Sequence, residues 1–539
     1  IGLAYKINKD WRLDYLYKNA VQDLVLRHTT NYPFYNFNLT HHKIELKGKG
    51  LTARWYHNQE NARNTWSASY LAASIQTQLL PNEDWKQRFV DAFAGEIKDV
   101  FTNNIAAART YADAGMAAVG SLEWESARQS SIASPTTFNP DGVIGAKLAE
   151  NSAFWQAEAF YDFEESLMLD PSWKVQLGAS FRKYRLDSKG AFFNDNRLAE
   201  NILAGKPMGY AGDIPLSEAG LFGQVGKKLF DKRLSLSFVG RANYHSNFKL
   251  NFTPQIAAVF SPDAKRNHNI RTSFTTGVRN PGLQEQYINF LISPAHVILG
   301  GTDDNLTHYF DPFLGITGAE LKTIFKEQLG YEHKGLKPER NTTYEMGYKG
   351  LLANDRLLID VNAYYTHYKN FVERANLTIT TKTGAPKIHA LYANLEEDVN
   401  AYGFGLGFEY AIAERYKFYS NYQFNDFNTP AHETGFGFVI PAFNTPKNRV
   451  NLGLNRRNEQ GGFGFDVAGR YVSDYDFIST LGKGYIPAYF TMDAALAYRV
   501  KNVNFTLAAS NLLGQEYRTI YGGPTVGSIY TFSVLYNAK

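Results

Sequence analysis

The chain contains no cysteine in its 539 residues. This absence excludes disulfide bonds, thiolate nucleophiles and cysteine-based metal sites. There is also no apolar run of about 18 residues, the length that a membrane-spanning helix requires. Basic residues are not concentrated, because 56 Lys and Arg are dispersed among 52 Asp and Glu and the net charge is only +4. We therefore expect neither a helical membrane span nor a nucleic-acid partner.

Signatures of catalysis are missing as well. The sequence contains no G-x-S-x-G, no H-E-x-x-H and no serine–lysine arrangement of the hydrolase families. Hydrolases that are themselves barrels disperse their catalytic residues along strands, so a barrel enzyme stays an alternative at this point. The opening residues, Ile1 to Tyr5, lack the basic and apolar segments of an export signal and resemble part of a strand.

Aromatic residues are abundant, with 35 Tyr and 38 Phe, and apolar residues alternate with polar residues along the chain. One clear example is the segment in which Trp173, Val175, Leu177, Ala179 and Phe181 alternate with Lys174, Gln176, Gly178 and Ser180. Alternation of period two is typical of a strand with two different faces. The polar face is small and hydrophilic, which suits a wet interior, and the apolar face suits lipid. The sequence thus predicts an all-β fold, a transmembrane antiparallel β-barrel.

Short turns and long connections alternate along the chain, as they do in barrels with short periplasmic turns and long outer loops. Reading the short turns as periplasmic predicts about nineteen strands. They form the hairpins 1–7/11–18, 36–47/51–58, 153–163/173–186, 216–228/233–245, 253–260/269–278, 339–351/356–373, 400–412/416–427, 445–456/462–473 and 488–500/503–511, followed by a lone strand 525–537.

Two connections are long. In 72–120 the apolar period becomes helical, which predicts a helical insertion in an extracellular loop, with a small separate domain as the alternative. The loop 280–336 carries an apolar piece around Ile288 to Leu299, and long loops without structure of their own are usually functional or disordered.

Six motifs then follow one another in a fixed order. They are Glu218–Gln224 (E-x-G-x-x-x-Q), Thr253-Pro254, Val278–Pro281, Leu336–Glu339 with Tyr344–Lys349, Asn444–Lys447 and Ser510–Tyr517. In this order they resemble TonB-dependent outer-membrane receptors of the Bacteroidetes type, over most of the chain. The resemblance implies that residues 1–539 are the barrel domain of a 22-stranded family. The expectation is that a signal peptide, a plug domain and three barrel strands precede Ile1 in the full protein.

The resemblance also implies a function and partners. The implied function is the active import of a scarce nutrient, which could be a siderophore, haem, cobalamin or an oligosaccharide. The TonB complex would drive this import through an N-terminal segment. Outer-membrane lipid and lipopolysaccharide would surround the barrel, and a surface lipoprotein is a further candidate partner. The alternative is an unplugged pore or a structural barrel in an outer-membrane assembly. No motif selects the ligand, and no enzyme activity or cofactor is expected.

Two carboxylates are candidate plug contacts. Alternation places Glu345 and Glu409 on the lumen face, and in the family such carboxylates pair with arginines of the plug. The alternative is a hydrated wall glutamate that pairs with an arginine of the barrel itself.

Two other polar clusters contain residue types that can bind metal ions. Asp303, Asp304 and Asn305 offer oxygen ligands for calcium, but their spacing lacks a known calcium-loop pattern, which favours a plain turn. His41 and His42 are neighbours on a strand, so their rings point to opposite faces and cannot share one ion. We therefore predict no metal site.

Overall fold

A computed structural model describes residues 1–27, 31–136, 145–164, 170–195, 214–293, 295–311, 314–330, 332–380, 386–428, 443–457, 461–479 and 482–537. Nineteen strands form one antiparallel sheet. They are β1 (Gly2–Lys6), β2 (Trp11–Arg27), β3 (Asn31–Gly48), β4 (Leu51–Asn61), β5 (Ala153–Asp162), β6 (Trp173–Leu186), β7 (Ile214–Leu229), β8 (Leu234–His245), β9 (Lys249–Phe260), β10 (His268–Arg279), β15 (Glu339–Leu352), β16 (Leu357–Lys369), β19 (Val399–Ala413), β20 (Tyr416–Asn428), β21 (Asn448–Arg456), β22 (Gly462–Val472), β25 (Tyr489–Val500), β26 (Val503–Ser510) and β27 (Ile529–Tyr536).

The remaining strands are short and lie in the connections. They are β11 (Asn289–Ser293), β12 (His296–Leu299), β13 (Phe310–Asp311), β14 (Ile316–Thr317), β17 (Val372–Thr380), β18 (Pro386–Asn394), β23 (Tyr475–Ser479) and β24 (Gly482–Ile486).

Within the large sheet, every strand pairs with its neighbours in the order given above. The predicted count of nineteen strands is therefore confirmed. We call the two ends of the sheet the turn end and the loop end. At the turn end the reversals are tight: Lys49 and Gly50 both have positive φ, 45° and 79°, as a two-residue hairpin turn requires. A Cβ atom at Gly50 would lie 2.4 Å from the carbonyl oxygen of Asp162.

The two faces of the sheet differ as the alternation predicts. On β6 the side chains of Trp173, Leu177 and Phe181 are 38%, 51% and 51% exposed, while Val175 is half-buried. Tyr344 and Met346 on β15 are 54% and 65% exposed. Exposed apolar side chains in this number are expected on a surface that faces lipid.

The first and last strands have free edges. Among the described residues β1 pairs only with β2, and β27 pairs only with β26. All residues of both strands are exposed.

The insertion between β4 and β5 is helical, as predicted, but it is longer than 72–120. It contains α1 (Ala68–Leu79), α2 (Asn82–Ala94), α3 (Ile105–Asp113) and α4 (Leu122–Ala133). Helix α2 ends at Ala94, because Gly95 adopts a left-handed φ of 85°. Among the described residues no helix is long and apolar enough to cross a bilayer.

A compact substructure stands at the loop end, built from the described residues of the connections 280–338 and 370–398, and we call it the cap. Its helices are α5 (Leu283–Tyr287), α6 (Asp303–Thr307) and α7 (Gly318–Leu329). Its sheet has the order β11-β12-β18-β17, and β12 and β18 are parallel. Leu299, Leu321 and Phe325 are fully buried in its apolar core. The sequence predicted a long loop without structure of its own for 280–336, which was wrong, because this segment contains helices and strands of the cap. It also predicted a strand up to residue 373, which was wrong, because β16 ends at Lys369.

Candidate ligand site

A cavity of about 780 Å³ opens at the loop end, on the polar face of β16, β19 and β20. We call it the mouth cavity. Its aromatic lining comes from strand ends and from two connections: Tyr364, Tyr368, Phe427, Phe443, Tyr475 and Tyr485. Amide side chains lie between the rings: Gln423, Asn425, Asn444 and Asn448. Because the polar positions of three strands meet two loops here, the sequence pattern of any single strand cannot reveal this site.

Hydrogen bonds fix the walls of the mouth cavity. The Tyr364 hydroxyl donates to Asn425 Oδ1 at 2.8 Å. Asn444 and Ile478 exchange two bonds, in which the Asn444 side chain donates to the Ile478 carbonyl at 2.9 Å and accepts from its N–H at 2.8 Å. Preformed walls lower the entropy cost of binding a ligand.

The charges of the cavity nearly cancel. Its described lining carries three carboxylates, Asp426, Asp474 and Asp476, and two cations, Lys447 and Arg449. Lys447 Nζ lies 3.0 Å from Asp426 Oδ2, so this pair is already neutralised. Burial raises the pKa of Tyr475, with the Arg449 charge opposing it, and the tyrosine therefore remains a neutral hydrogen-bonding group.

The cap is held by a buried ionic cluster around Asp311. Its Oδ2 atom lies 2.7 Å from Lys387 Nζ, 2.9 Å from His389 Nε2 and 3.2 Å from the Tyr309 hydroxyl that donates to it. Burial alone would raise the pKa of Asp311, but the His389 hydrogen bond and the Lys387 charge outweigh burial and hold it well below its usual range. Burial lowers the pKa of Lys387, and Asp311 opposes that shift. Such a cluster gives the cap a defined geometry and makes the loss of either charged partner costly.

The two predicted carboxylates lie on the polar face, opposite the exposed apolar side chains. Glu345 Oε2 accepts a 3.0 Å hydrogen bond from the Ser273 hydroxyl on β10. Glu409 forms an ion pair with Lys417 on β20. Both side chains thus lie on the face that the alternation gives them, and their role as plug contacts stays a prediction. The described partner of Glu409 is a lysine of the sheet itself, where the alternative reading expected an arginine.

A second cavity, of about 490 Å³, lies on the polar face of β4 to β8. Its lining residue Arg54 belongs to a charge ladder that begins on the neighbouring strand β3, where Glu45 pairs with Lys43 at 3.0 Å, with Lys47 at 2.8 Å and with Arg54. Arg54 Nη1 is also 3.2 Å from Glu158 Oε1. The positions of these side chains on the polar face follow from the alternation, but the sequence alone did not identify them as a cluster.

The acidic cluster and the histidine pair make contacts within the protein. Asp303, Asp304 and Asn305 begin the short helix α6 instead of a plain turn. Asp303 pairs with Lys322, and Asn305 donates to the Gly300 carbonyl at 2.9 Å. His41 Nδ1 contacts Asn58 Oδ1 at 2.6 Å, whereas His42 Nδ1 contacts the Tyr15 hydroxyl at 3.0 Å, on the other face. In the part of the chain that the structure describes, no three His, Asp or Glu side chains are placed to hold a metal ion.

Comparisons with known proteins agree with this architecture. A family model described as TonB dependent receptor-like, beta-barrel, matches residues 2–512. The siderophore receptor PirA from Acinetobacter baumannii is 11% identical, with a TM-score of 0.54 over 99% of this chain and 69% of that chain. A mutant of the ferric enterobactin receptor PfeA from Pseudomonas aeruginosa is 12% identical, with a TM-score of 0.59 over 99% and 68%. The FrpB iron transporter from Neisseria meningitidis is 12% identical, with a TM-score of 0.55 over 99% and 70%.

At these identities the solved structures show a shared fold, and the family model covers nearly the whole chain. The nineteen-stranded meander, with an apolar outer face and a polar inner face, is the wall of an outer-membrane barrel. The chain belongs to the family of TonB-dependent receptor-like β-barrels.

Proposed function

We propose that this barrel imports an uncharged ferric siderophore across the outer membrane in a TonB-dependent cycle. Outer-membrane nutrient import is the general function of the family. The similar solved structures are, by their names, receptors for siderophores or iron. The choice of an uncharged chelate depends on the lining of the mouth cavity.

The mouth cavity supports this ligand class in three ways. Its volume of about 780 Å³ lies within the range of roughly 300–1,000 Å³ that is typical of small-molecule sites. Six rings supply apolar contact, and four amides supply hydrogen bonds to the oxygens of a chelate. Three carboxylates against two cations among the described lining residues disfavour a multiply anionic catecholate complex and the two carboxylates of haem.

An oligosaccharide is the second candidate, because rings interleaved with amides also suit a neutral sugar chain. Binding to the purified protein distinguishes the candidates. We would titrate it with an uncharged ferric hydroxamate, an anionic ferric catecholate, haem, cobalamin and a maltooligosaccharide, using calorimetry. The proposal predicts the tightest binding for the hydroxamate and weaker binding in Phe443→Ala. Binding of the sugar alone, or a preference for the catecholate, would refute it.

We also propose that a plug domain and three further strands complete the barrel, and that TonB acts through the plug. The free edges of β1 and β27 support this, because an unpaired strand edge in lipid carries costly unsatisfied backbone groups. An unplugged pore, the alternative, would conduct ions steadily in a planar bilayer without TonB. A plugged barrel from the full-length gene would be nearly silent in the same recording.

Glu345 and Glu409 are the proposed contacts between this wall and the plug. Both lie on the inner face, and each has only one described polar side-chain partner in the barrel. In the full-length protein, Glu345→Gln or Glu409→Gln should increase hydrogen exchange in the plug. Glu414→Gln, in the turn after β19, serves as the control. Unchanged plug exchange in both inner-face variants would refute the assignment.

A further inference from the structure

The two connections that build the cap meet at one buried pair of reactive side chains. Asp311 ends β13, in the connection after β10, and Lys387 lies in β18, in the connection after β16. The two residues are only 1% and 2% exposed, and Nζ of Lys387 lies 2.7 Å from Oδ2 of Asp311. An amine and a carboxyl group are therefore held in contact where water is excluded.

The surroundings of this pair are apolar. His389, Leu391 and Ala393 follow Lys387 at every second position of β18, so all four side chains share one face of the strand. The three that follow are each 0% exposed, and Leu391 and Ala393 belong to the apolar core of the cap together with Tyr309. In such a core, moving a proton from the ammonium to the carboxylate removes two charges that have lost their hydration. The neutral amine that results is the nucleophilic form of lysine.

The two carboxylate oxygens of Asp311 have different partners. Besides the Lys387 ammonium, Oδ2 accepts hydrogen bonds from His389 Nε2 at 2.9 Å and from the Tyr309 hydroxyl at 3.2 Å. Oδ1 accepts the N–H of Leu314 at 3.2 Å. Donors on Oδ2 favour its departure from the carbon. A backbone N–H on Oδ1 stabilises the negative charge that develops there when the carbon is attacked.

The imidazole of His389 is directed at this carboxylate alone. Its Nδ1 atom is buried and has no hydrogen-bond partner among the described residues. Buried polar groups are normally paired, and an exception requires an explanation. Cap stability does not explain why a histidine occupies this position, because an apolar side chain would fill it without an unpaired nitrogen. Assistance to the oxygen that leaves Asp311 does explain it.

We propose that Asp311 and Lys387 condense into an amide, an isopeptide bond, after the cap has folded. The ion pair described above is the state before the reaction. Nζ passes one proton to Oδ2 and attacks Cγ of Asp311, so that the new C–N bond forms and an electron pair of the C–Oδ1 double bond moves onto Oδ1. That electron pair then returns, the Cγ–Oδ2 bond breaks, and Oδ2 leaves as water with a second proton from Nζ. Carboxylate and ammonium thus give amide and water without any other reactant.

The bond would give the cap a covalent cross-link that this chain cannot make in another way. The sequence contains no cysteine, so no disulfide can join the two connections. An isopeptide bond closes a long loop, as a disulfide would, and restricts the unfolded cap in the same manner. It also holds the cap together outside the cell, where proteases and reductants act. The inference is independent of the transported ligand.

Mass spectrometry of the folded, purified protein tests the proposal. Digestion with trypsin should give a branched peptide that joins Asp311 to Lys387, with no cleavage after Lys387. The intact protein should weigh less than Lys387→Met by one water molecule, after allowance for the substitution itself. Lys322→Met is the matched control. Lys322 pairs with Asp303 in the same cap, but both side chains of that pair are accessible to water, so this variant should keep the branched peptide.

A second variant tests the histidine. His389→Leu keeps the ion pair and the apolar surroundings, and it should form the branched peptide more slowly after synthesis, while circular dichroism confirms an intact fold. Linkage as fast as in the original protein would refute the role of His389. A folded original protein without the branched peptide would overturn the whole proposal, even if Lys387→Met fails to fold. A dehydrated Asp311 that is not attached to Lys387 would overturn it as well.

Discussion

Arg279 and Glu339 form a two-pronged ion pair where the barrel wall meets the cap. They face each other in register at the loop ends of β10 and β15. Arg279 Nη2 donates to Glu339 Oε1 at 2.6 Å, and its Nε donates to Oε2. Glu339 Oε1 also accepts the N–H of Val372 at 2.7 Å. One carboxylate thereby joins the wall to the first residue of β17 in the cap.

Replacing this carboxylate should loosen the cap without disturbing the barrel. Glu339→Gln removes the charge that Arg279 and the Val372 N–H contact, at an expected cost of about 2 kcal/mol in local stability. Hydrogen exchange in β17 and β18 should become faster, with no change in β2 to β8. Glu327→Gln, on the exposed side of α7, is the control. Equal exchange in the two variants would show that the pair does not anchor the cap.

Breaking the buried cluster around Asp311 should destabilise the cap more than Glu339→Gln does. Asp311→Asn leaves the Lys387 ammonium buried without its counter-charge, which should cost about 3–5 kcal/mol of cap stability. Exchange at β18 amides measures this loss. The double variant Asp311→Leu with Lys387→Met removes both charges and should recover most of it. If the double variant is no better than the single one, the lost stability does not come from the stranded charge.

The mouth cavity should bind its ligand mainly through rings. Tyr368→Ala should reduce affinity about tenfold, because a large aromatic contact is lost. Arg449→Gln should change the affinity for an uncharged ligand by less than about threefold. Calorimetry with the ferric hydroxamate measures both, with Tyr416→Ala at the turn end as the control. A larger effect from Arg449 than from Tyr368 would indicate an anionic ligand.

Glu150 should make stability depend on pH. Burial raises its pKa to about 7, although hydrogen bonds from Ser152 oppose the shift. The folded chain therefore keeps a proton that the unfolded chain has released. Stability should fall as pH rises from the ordinary value near 4.5 to about 7, since the folded state binds more protons in that window.

Glu150→Gln should remove this dependence. The variant should be more stable than the original by roughly 2 kcal/mol at pH 8 and nearly unchanged at pH 5. Thermal unfolding in detergent at the two pH values measures the difference. Glu123→Gln, an exposed position on α4, is the control. A variant with the same pH slope as the original protein would contradict the buried carboxyl.

The sequence predicted the wall well because its physics is local. Each strand shows its two faces through alternation alone, so the strand count and the inner-face positions of Glu345 and Glu409 followed directly. The cap could not be predicted in this way. Its strand β12 has only four residues, and it is stabilised by pairing with β18 from a different connection.

The mouth cavity was not predicted for a related reason, because its rings come from strand ends and loops that are far apart in the chain. Arg279 and Glu339 lie within two of the quoted motifs, Val278–Pro281 and Leu336–Glu339. In the sequence these two motifs are separate. One ion pair joins them across the adjacent strands β10 and β15, and only the strand register shows it.

The parallel pairing of β12 with β18 sets an order of assembly. In the wall, every strand pairs with the wall strand that precedes it in sequence, even where an insertion separates the two, as between β4 and β5. His296 and Ile388 are partners in the cap although about 90 residues separate them, and closing so long a segment costs entropy. Between them lies the whole β15–β16 hairpin. The cap can therefore close only after that part of the wall is in place, so a receptor with an unfinished wall also lacks its outer cover.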